Sequence, residues 1–148
     1  GANWLTVHAR TKADGYTPPA YWEKIQPITE ALKINVIANG EIWNNADAKA
    51  CIAQSDCKDI MIGRGAVTTP DLTLCIRQNQ DQAILSWQDL VELQQRFLNG
   101  QFKTEVGMIG RYKQWLGMMS KAYPEAQALW NQVKKMKQLE DILQQLHR

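Results

Sequence analysis

Three short apolar runs rich in β-branched residues, 4–7, 35–38 and 59–62, recur through the first half of the chain with segments of helical period between them. The segment 19–32 sets Trp22, Ile25, Ile28 and Leu32 on one face, and 46–53 reads as a helix that Asn44 or Asn45 can cap. A third helical segment, 66–77, follows the third run. Strand and helix repeating in units this short imply a parallel sheet with right-handed crossovers. After Arg77 the strand signals stop. A polar stretch at 78–86 reads as a linker, and beyond it the apolar spacing predicts helices at 87–98, 105–122, 124–137 and 139–146. Short connections between such helices make a bundle. The expectation is therefore an α/β portion over 1–80 and an all-α portion over 81–148.

With 45% apolar residues and six tryptophans in 148, the chain has material for a buried core with a helical appendage. No stretch approaches the roughly 20 apolar residues that cross a bilayer, and no secretory signal opens the chain, so a cytoplasmic location is the default expectation and no membrane partner is expected. Cys51, Cys57 and Cys75 are an odd count without CxxC spacing or nearby histidines, which points to structural thiols and to neither a disulfide framework nor a metal site. Charge is uneven. Residues 1–80 carry eight basic and eight acidic side chains, whereas 103–137 hold seven basic against two acidic. A polyanionic partner and a merely solvated face both fit that excess. The chain opens on Gly-Ala-Asn and enters a strand at once, without a methionine, so a fragment is expected; a short domain with an edge strand first is the alternative.

Parallel α/β folds gather ligands at the C-terminal strand ends. After the first run stand His8, Arg10 and Lys12: a histidine that can bond a ring or a phosphate and two cations for an anion, or a basic surface loop. After the second stand Asn39, Gly40 and Glu41, where the glycine permits a sharp turn with amides near a ligand, or an ordinary βα turn. The third ends in Gly63-Arg64-Gly65-Ala66 and enters a helix, a junction suited to a phosphate. Thr68 stands where a third glycine would complete the dinucleotide fingerprint. In eight-stranded barrels a phosphate site is commonly built by the loops after strands 7 and 8. The pattern thus predicts the C-terminal part of a TIM (β/α)8 barrel, its last three strands, followed by a helical bundle domain. Three strands cannot close a barrel, so the remaining strands are expected upstream, and the open sheet edges offer a route to self-association.

His8-Ala9-Arg10-Thr11-Lys12 with Tyr16 to Trp22, then Val36 to Ile42, then Met61 to Ala66, in this order and spacing, resemble the last three barrel strands of tRNA-dihydrouridine synthases. Gly110-Arg111-Tyr112-Lys113-Gln114-Trp115-Leu116 is similar to that family's helical domain, most closely its bacterial C type, so the resemblance covers nearly the whole chain. It implies an oxidoreductase of tRNA processing, which uses FMN, reduced by NADPH, to convert a D-loop uridine of tRNA to dihydrouridine. By position, His8, Asn39, Gly40, Glu41, Gly63 and Arg64 would bind the cofactor: His8 at the flavin, Asn39 and Glu41 lining cofactor or base, the amides of Gly40, Gly63 and Arg64 at the phosphate with the Arg64 side chain as countercharge. Arg10 and Lys12 would face the mouth and touch FMN or tRNA. The family's proton-donating cysteine and flavin-contacting lysine lie on earlier barrel elements and have no counterpart here; no catalytic residue is assigned, and the chain alone is expected to be inactive.

The helical half fits beside such a site. A base reaches a deep flavin only if it is flipped out while the backbone is held elsewhere. Arg111, Lys113, Lys121, Lys134, Lys135 and Lys137 are candidates for that grip, Lys134 and Lys137 by helical phasing on one face. Trp115 and Trp130 can stack on bases or serve as buried anchors. Two other readings remain open: another phosphate-binding TIM-barrel enzyme, and a non-enzymatic RNA-binding module with the strands as scaffold.

Overall fold

The computed structural model describes residues 1–100 and 102–147 and divides into two compact units, Gly1–Ala66 with Pro70–Ala83, and Val67–Thr69 with Ile84–Arg148. Among the described residues no helix is long and apolar enough to cross a membrane.

The first unit is built on three parallel strands, β1 (Trp4–His8), β2 (Asn35–Asn39) and β3 (Asp59–Met61), in the order β1-β2-β3. Register runs from Trp4 opposite Asn35 to His8 opposite Asn39, and from Ile37 opposite Asp59 to Asn39 opposite Met61. His8, Asn39 and Met61 therefore end up side by side on one rim. The sheet is parallel, with crossover helices and an unpaired outer edge on β1 and on β3 among the described residues, an arrangement consistent with part of a barrel. Val36 and Ala38 of the central strand are buried together with Ile25, Ile42, Ala48, Cys51 and Cys57. An isoleucine as enclosed as Ile25, 1% exposed, contributes about 2 kcal/mol by burial.

Two predicted helices are broken, each at a proline. Pro27 has no amide hydrogen and fits only a first turn, so 19–32 resolves into a 3-10 turn, Trp22–Lys24, and helix α1, Gln26–Ala31, and Leu32 leaves the core face. Pro70 likewise separates α3 (Arg64–Thr68) from α4 (Leu72–Arg77). Helix α2 (Asn45–Ser55) runs longer than predicted, because the Asn44 side chain accepts from the Asp47 amide at its start and Asp56 closes it in the left-handed conformation.

The second unit packs α5 (Trp87–Leu98), α6 (Glu105–Met119), α7 (Pro124–Val133) and α8 (Leu139–Leu146) around Leu90, Leu98, Leu116, Met119, Val133 and Ile142. Helix α5 starts at a capping box in which Ser86 and Asp89 satisfy each other's backbone amides, and Thr104 caps α6. Within this core Tyr112, fully buried, donates to Gln94 Oε1 at 3.0 Å, and Gln94 Nε2 donates to the Leu90 carbonyl at 3.0 Å. Burial raises the Tyr112 hydroxyl's pKa, so it stays a donor.

Candidate functional site at the strand ends

A pocket of about 260 Å³ opens at the rim where the three strands end, and His8, Asn39, Gly40, Glu41, Gly63 and Arg64 all line it. The six predicted ligand residues are thus brought together. Asn39 organises one wall. Its Nδ2 donates to the Met61 carbonyl at 2.7 Å, which turns Oδ1 toward His8 Nδ1, also at 2.7 Å. An oxygen accepting from Nδ1 requires the hydrogen on that nitrogen, so Nε2 is the ring atom left for a ligand.

The glycines act in different ways. Gly40 has φ 130, a conformation that side-chain-bearing residues avoid, and its carbonyl accepts from the Trp22 indole at 2.8 Å. Gly65 is where the β2 loop and the start of α3 cross: a Cβ there would lie 2.1 Å from the Ile42 carbonyl oxygen. A Cβ on Gly63 would meet nothing within 4 Å, so the space above that turn is open. The first amides of α3 have no intrahelical acceptor, although one turn of helix supplies little dipole.

Glu41 sits at the centre of the charged wall. Its Oε1 accepts from Arg10 Nη2 and, at 2.5 Å, from Arg64 Nη2; its Oε2 accepts from the Trp43 indole at 2.9 Å. Burial pushes the Glu41 carboxyl up, but the Trp43 and Arg10 hydrogen bonds and the charges of Arg10 and Arg64 outweigh it and hold the group below its ordinary value. Because the folded value lies below the unfolded one, these pairings stabilise the fold fully above the ordinary glutamate range, and that contribution is lost as pH falls through the folded value. The Arg64 guanidinium carbon lies 5.2 Å from the Trp43 ring and 4.9 Å from the Tyr16 ring. Trp43 and Tyr16, which flank Arg64, are site residues that sequence reasoning missed; an aromatic two positions beyond Glu41 was the only signal for Trp43.

Of the residues expected to meet nucleic acid, Lys12 is exposed on a loop that Asp14 folds by accepting from the Thr11 amide and hydroxyl, both at 2.7 Å. Arg10 does not face the mouth: its side chain is 0% exposed and turned onto Glu41. Arg111, Lys134 and Lys137 are exposed. Lys113 is half-buried, and its ammonium donates to the carbonyls of Lys134, at 3.1 Å, and Met136. Helix α7 ends at Val133, so Lys134 and Lys137 share no helical face as predicted: Lys134 stands in the turn that follows the helix and Lys137 in the segment beyond it. Lys113 stabilises that ending by taking up carbonyls past the last turn. Trp115 donates its indole to the Val67 carbonyl at 3.1 Å and leans on Phe97, and Trp130 packs on the same core: both are anchors.

The cysteines are free and buried, and none lines the pocket. Burial, with Cys57 beside it, pushes the Cys51 thiol up to about 11 against a hydrogen bond from Ser55, which suits packing and not proton donation. No cluster able to hold a metal ion occurs among the described residues.

A family model described as dihydrouridine synthase matches residues 1–148. The chain is 44% identical to a tRNA-dihydrouridine(16) synthase of Shewanella oneidensis over 99% of its own length and 46% of that protein's. It is 42% identical to the protein of the same name in Pasteurella multocida, over 90% and 43% of the two lengths, and 38% identical to that of Haemophilus influenzae, over 96% and 46%. The chain spans about half the length of the curated relatives it matches.

Proposed function

The chain belongs to the dihydrouridine synthase family, and from that premise we propose that it forms the flavin-phosphate end of the barrel and the tRNA-binding helical domain of a tRNA-dihydrouridine synthase acting in the cytoplasm. The substrate is tRNA, and the uridine is the one at position 16 of the D-loop, as the relatives are named. FMN, reduced by NADPH, supplies the hydride for the 5,6 double bond of that uridine.

One observation carries this reading: six residues from three strand ends converge on a single pocket with room over Gly63 and one half-exposed guanidinium, Arg64, at its wall. That donor set suits a phosphate. The amides of Gly40, Gly63 and Arg64 and the Arg64 side chain offer hydrogen bonds and charge to the anion, while His8, oriented by Asn39, presents Nε2 to the ring system. Arg111, Lys134 and Lys137 with Lys12 grip the tRNA backbone, each neutralising phosphate in a salt-dependent way. The unpaired edges of β1 and β3 are the surfaces through which this chain pairs with further strands or with a second copy.

The test is a comparison of FMN with riboflavin, which differ by the phosphate. Titration of the protein followed by flavin fluorescence is expected to give an affinity for FMN at least about tenfold above that for riboflavin, a preference that Arg64→Ala removes. Equal affinities for the two overturn the phosphate site and the flavin reading with it.

A further inference from the structure

We propose that Glu41 is not a ligand of the flavin or of the base but the positioning residue of the pocket, a carboxylate that Arg10 and Trp43 immobilise so that it holds the guanidinium of Arg64 in one place with its charge intact. This rests on the flavin-phosphate reading above and concerns how that site is made.

The first ground is acceptor capacity. A carboxylate oxygen has about two lone-pair sites. Glu41 Oε1 spends both on Arg10 and Arg64, and Oε2 spends one on the Trp43 indole. With its side chain 12% exposed, Glu41 keeps a single acceptor position. A residue so occupied has little left for a bound ring.

The second ground is backbone strain. Glu41 has φ 51, a left-handed conformation that a long side chain seldom adopts. Such a conformation persists only where the surroundings over-determine it. Three hydrogen bonds from two arginines and an indole do so, and they aim the carboxylate at Arg64.

The third ground is charge. Arg64 paired with Glu41 alone would be neutral toward an anion. Arg10 restores one unit of positive charge from behind, and it does so wholly buried, with Nε and Nη1 lacking any hydrogen-bond partner among the described residues. A buried guanidinium placed where no ligand reaches it acts through Glu41. Arg64 meanwhile has the Trp43 and Tyr16 rings beside it and Glu41 at one edge, so most of its donors remain for the pocket. Preorganisation of this kind adds affinity by removing the cost of ordering a long side chain on binding.

Glu41→Gln would alter the field at the phosphate as well as the geometry, so the charge-conserving Glu41→Asp is the informative variant. Aspartate tolerates the left-handed region and is too short to span Arg10, Trp43 and Arg64 together. Trp43→Phe, which keeps an aromatic ring and deletes the indole donor, is the second. Affinities for FMN and for riboflavin are measured for the protein, each variant, Arg64→Ala, and Glu41→Asp combined with Arg64→Ala, with thermal melts to establish folding. Glu41→Asp is expected to weaken FMN about tenfold, leave riboflavin unchanged, and cost nothing more once Arg64 is gone, with Trp43→Phe changing FMN in the same direction. Equal loss of riboflavin, or a penalty that persists without Arg64, means that Glu41 touches the flavin itself and overturns the assignment. An unchanged FMN affinity in a folded Glu41→Asp protein also overturns it, while the phosphate site stands. Only a wild-type protein indifferent to the phosphate removes both.

Discussion

Gly65 and Gly63 are two residues apart in one turn, yet the surroundings treat them in opposite ways. A methyl group on Gly65 would lie 2.1 Å from the Ile42 carbonyl oxygen and 2.9 Å from a Leu72 methyl, and a backbone atom cannot move aside as a flexible side chain can. Gly65→Ala is therefore expected to destabilise the fold by about 2 kcal/mol or more, read as a lower midpoint in chemical denaturation. Gly63→Ala meets only open space and should change stability by less than about 0.5 kcal/mol, while on the flavin-phosphate reading its methyl, projecting above the turn, should lower FMN affinity. A pair of variants that are equally stable would contradict the crossing of the two loops. The sequence pointed to both glycines as a phosphate turn, because glycine after a strand and before a helix is a local signal. It did not separate their duties, because the atom that makes Gly65 obligatory belongs to a residue 23 positions earlier. The same limit hid Trp43 and the burial of Arg10: each depends on Glu41 being where the fold puts it, and Glu41 is 31 residues from Arg10.

At the scale of elements, the strands and most helix starts were legible because their determinants are neighbours: β-branched runs, Ser86 with Asp89, Thr104 three residues before Gly107, and Pro124 in a first turn. Helix ends were harder. The apolar spacing continues through Met136, and nothing local stops α7 at Val133. What stops it is Lys113, from the preceding helix, whose ammonium takes the carbonyls of Lys134 and Met136. Loss of that contact by Lys113→Met, which keeps the apolar stem, should cost about 1 kcal/mol of stability in the helical unit. On the tRNA-grip reading it should also weaken tRNA by loosening the turn of Lys134 and the segment of Lys137 that follows it. Two of the three Lys113 donors are already committed to carbonyls, so the salt dependence should fall by less than one phosphate contact. Arg111→Ala, by contrast, removes an exposed cation, and the salt slope should drop by about one with no change in melting. Binding measured across a salt series decides between the two roles; identical slope changes would make Lys113 an ordinary phosphate contact.

For the molecule as a whole, two separate hydrophobic clusters, one around Val36, Ala38 and Ile25 and the other around Leu90, Tyr112 and Leu116, give each unit its own source of stability. The strand signals stop after Arg77, and a helical core needs no β-branched runs. Ligands that bind separate units should then act separately. A ligand at a hundred times its dissociation constant stabilises what it binds by about 2.7 kcal/mol, which slows amide exchange through unfolding of that unit about a hundredfold. Saturating FMN is expected to slow exchange at Val36 to Asn39 in β2 by that order and to leave Tyr112 and Leu116 in α6 at their free rates; tRNA is expected to protect α6 and the turn after α7 first. Equal slowing in both units by FMN alone would mean that the two cores open in one cooperative step, and the strand-end pocket would then be stabilised by the helices and not by its own sheet.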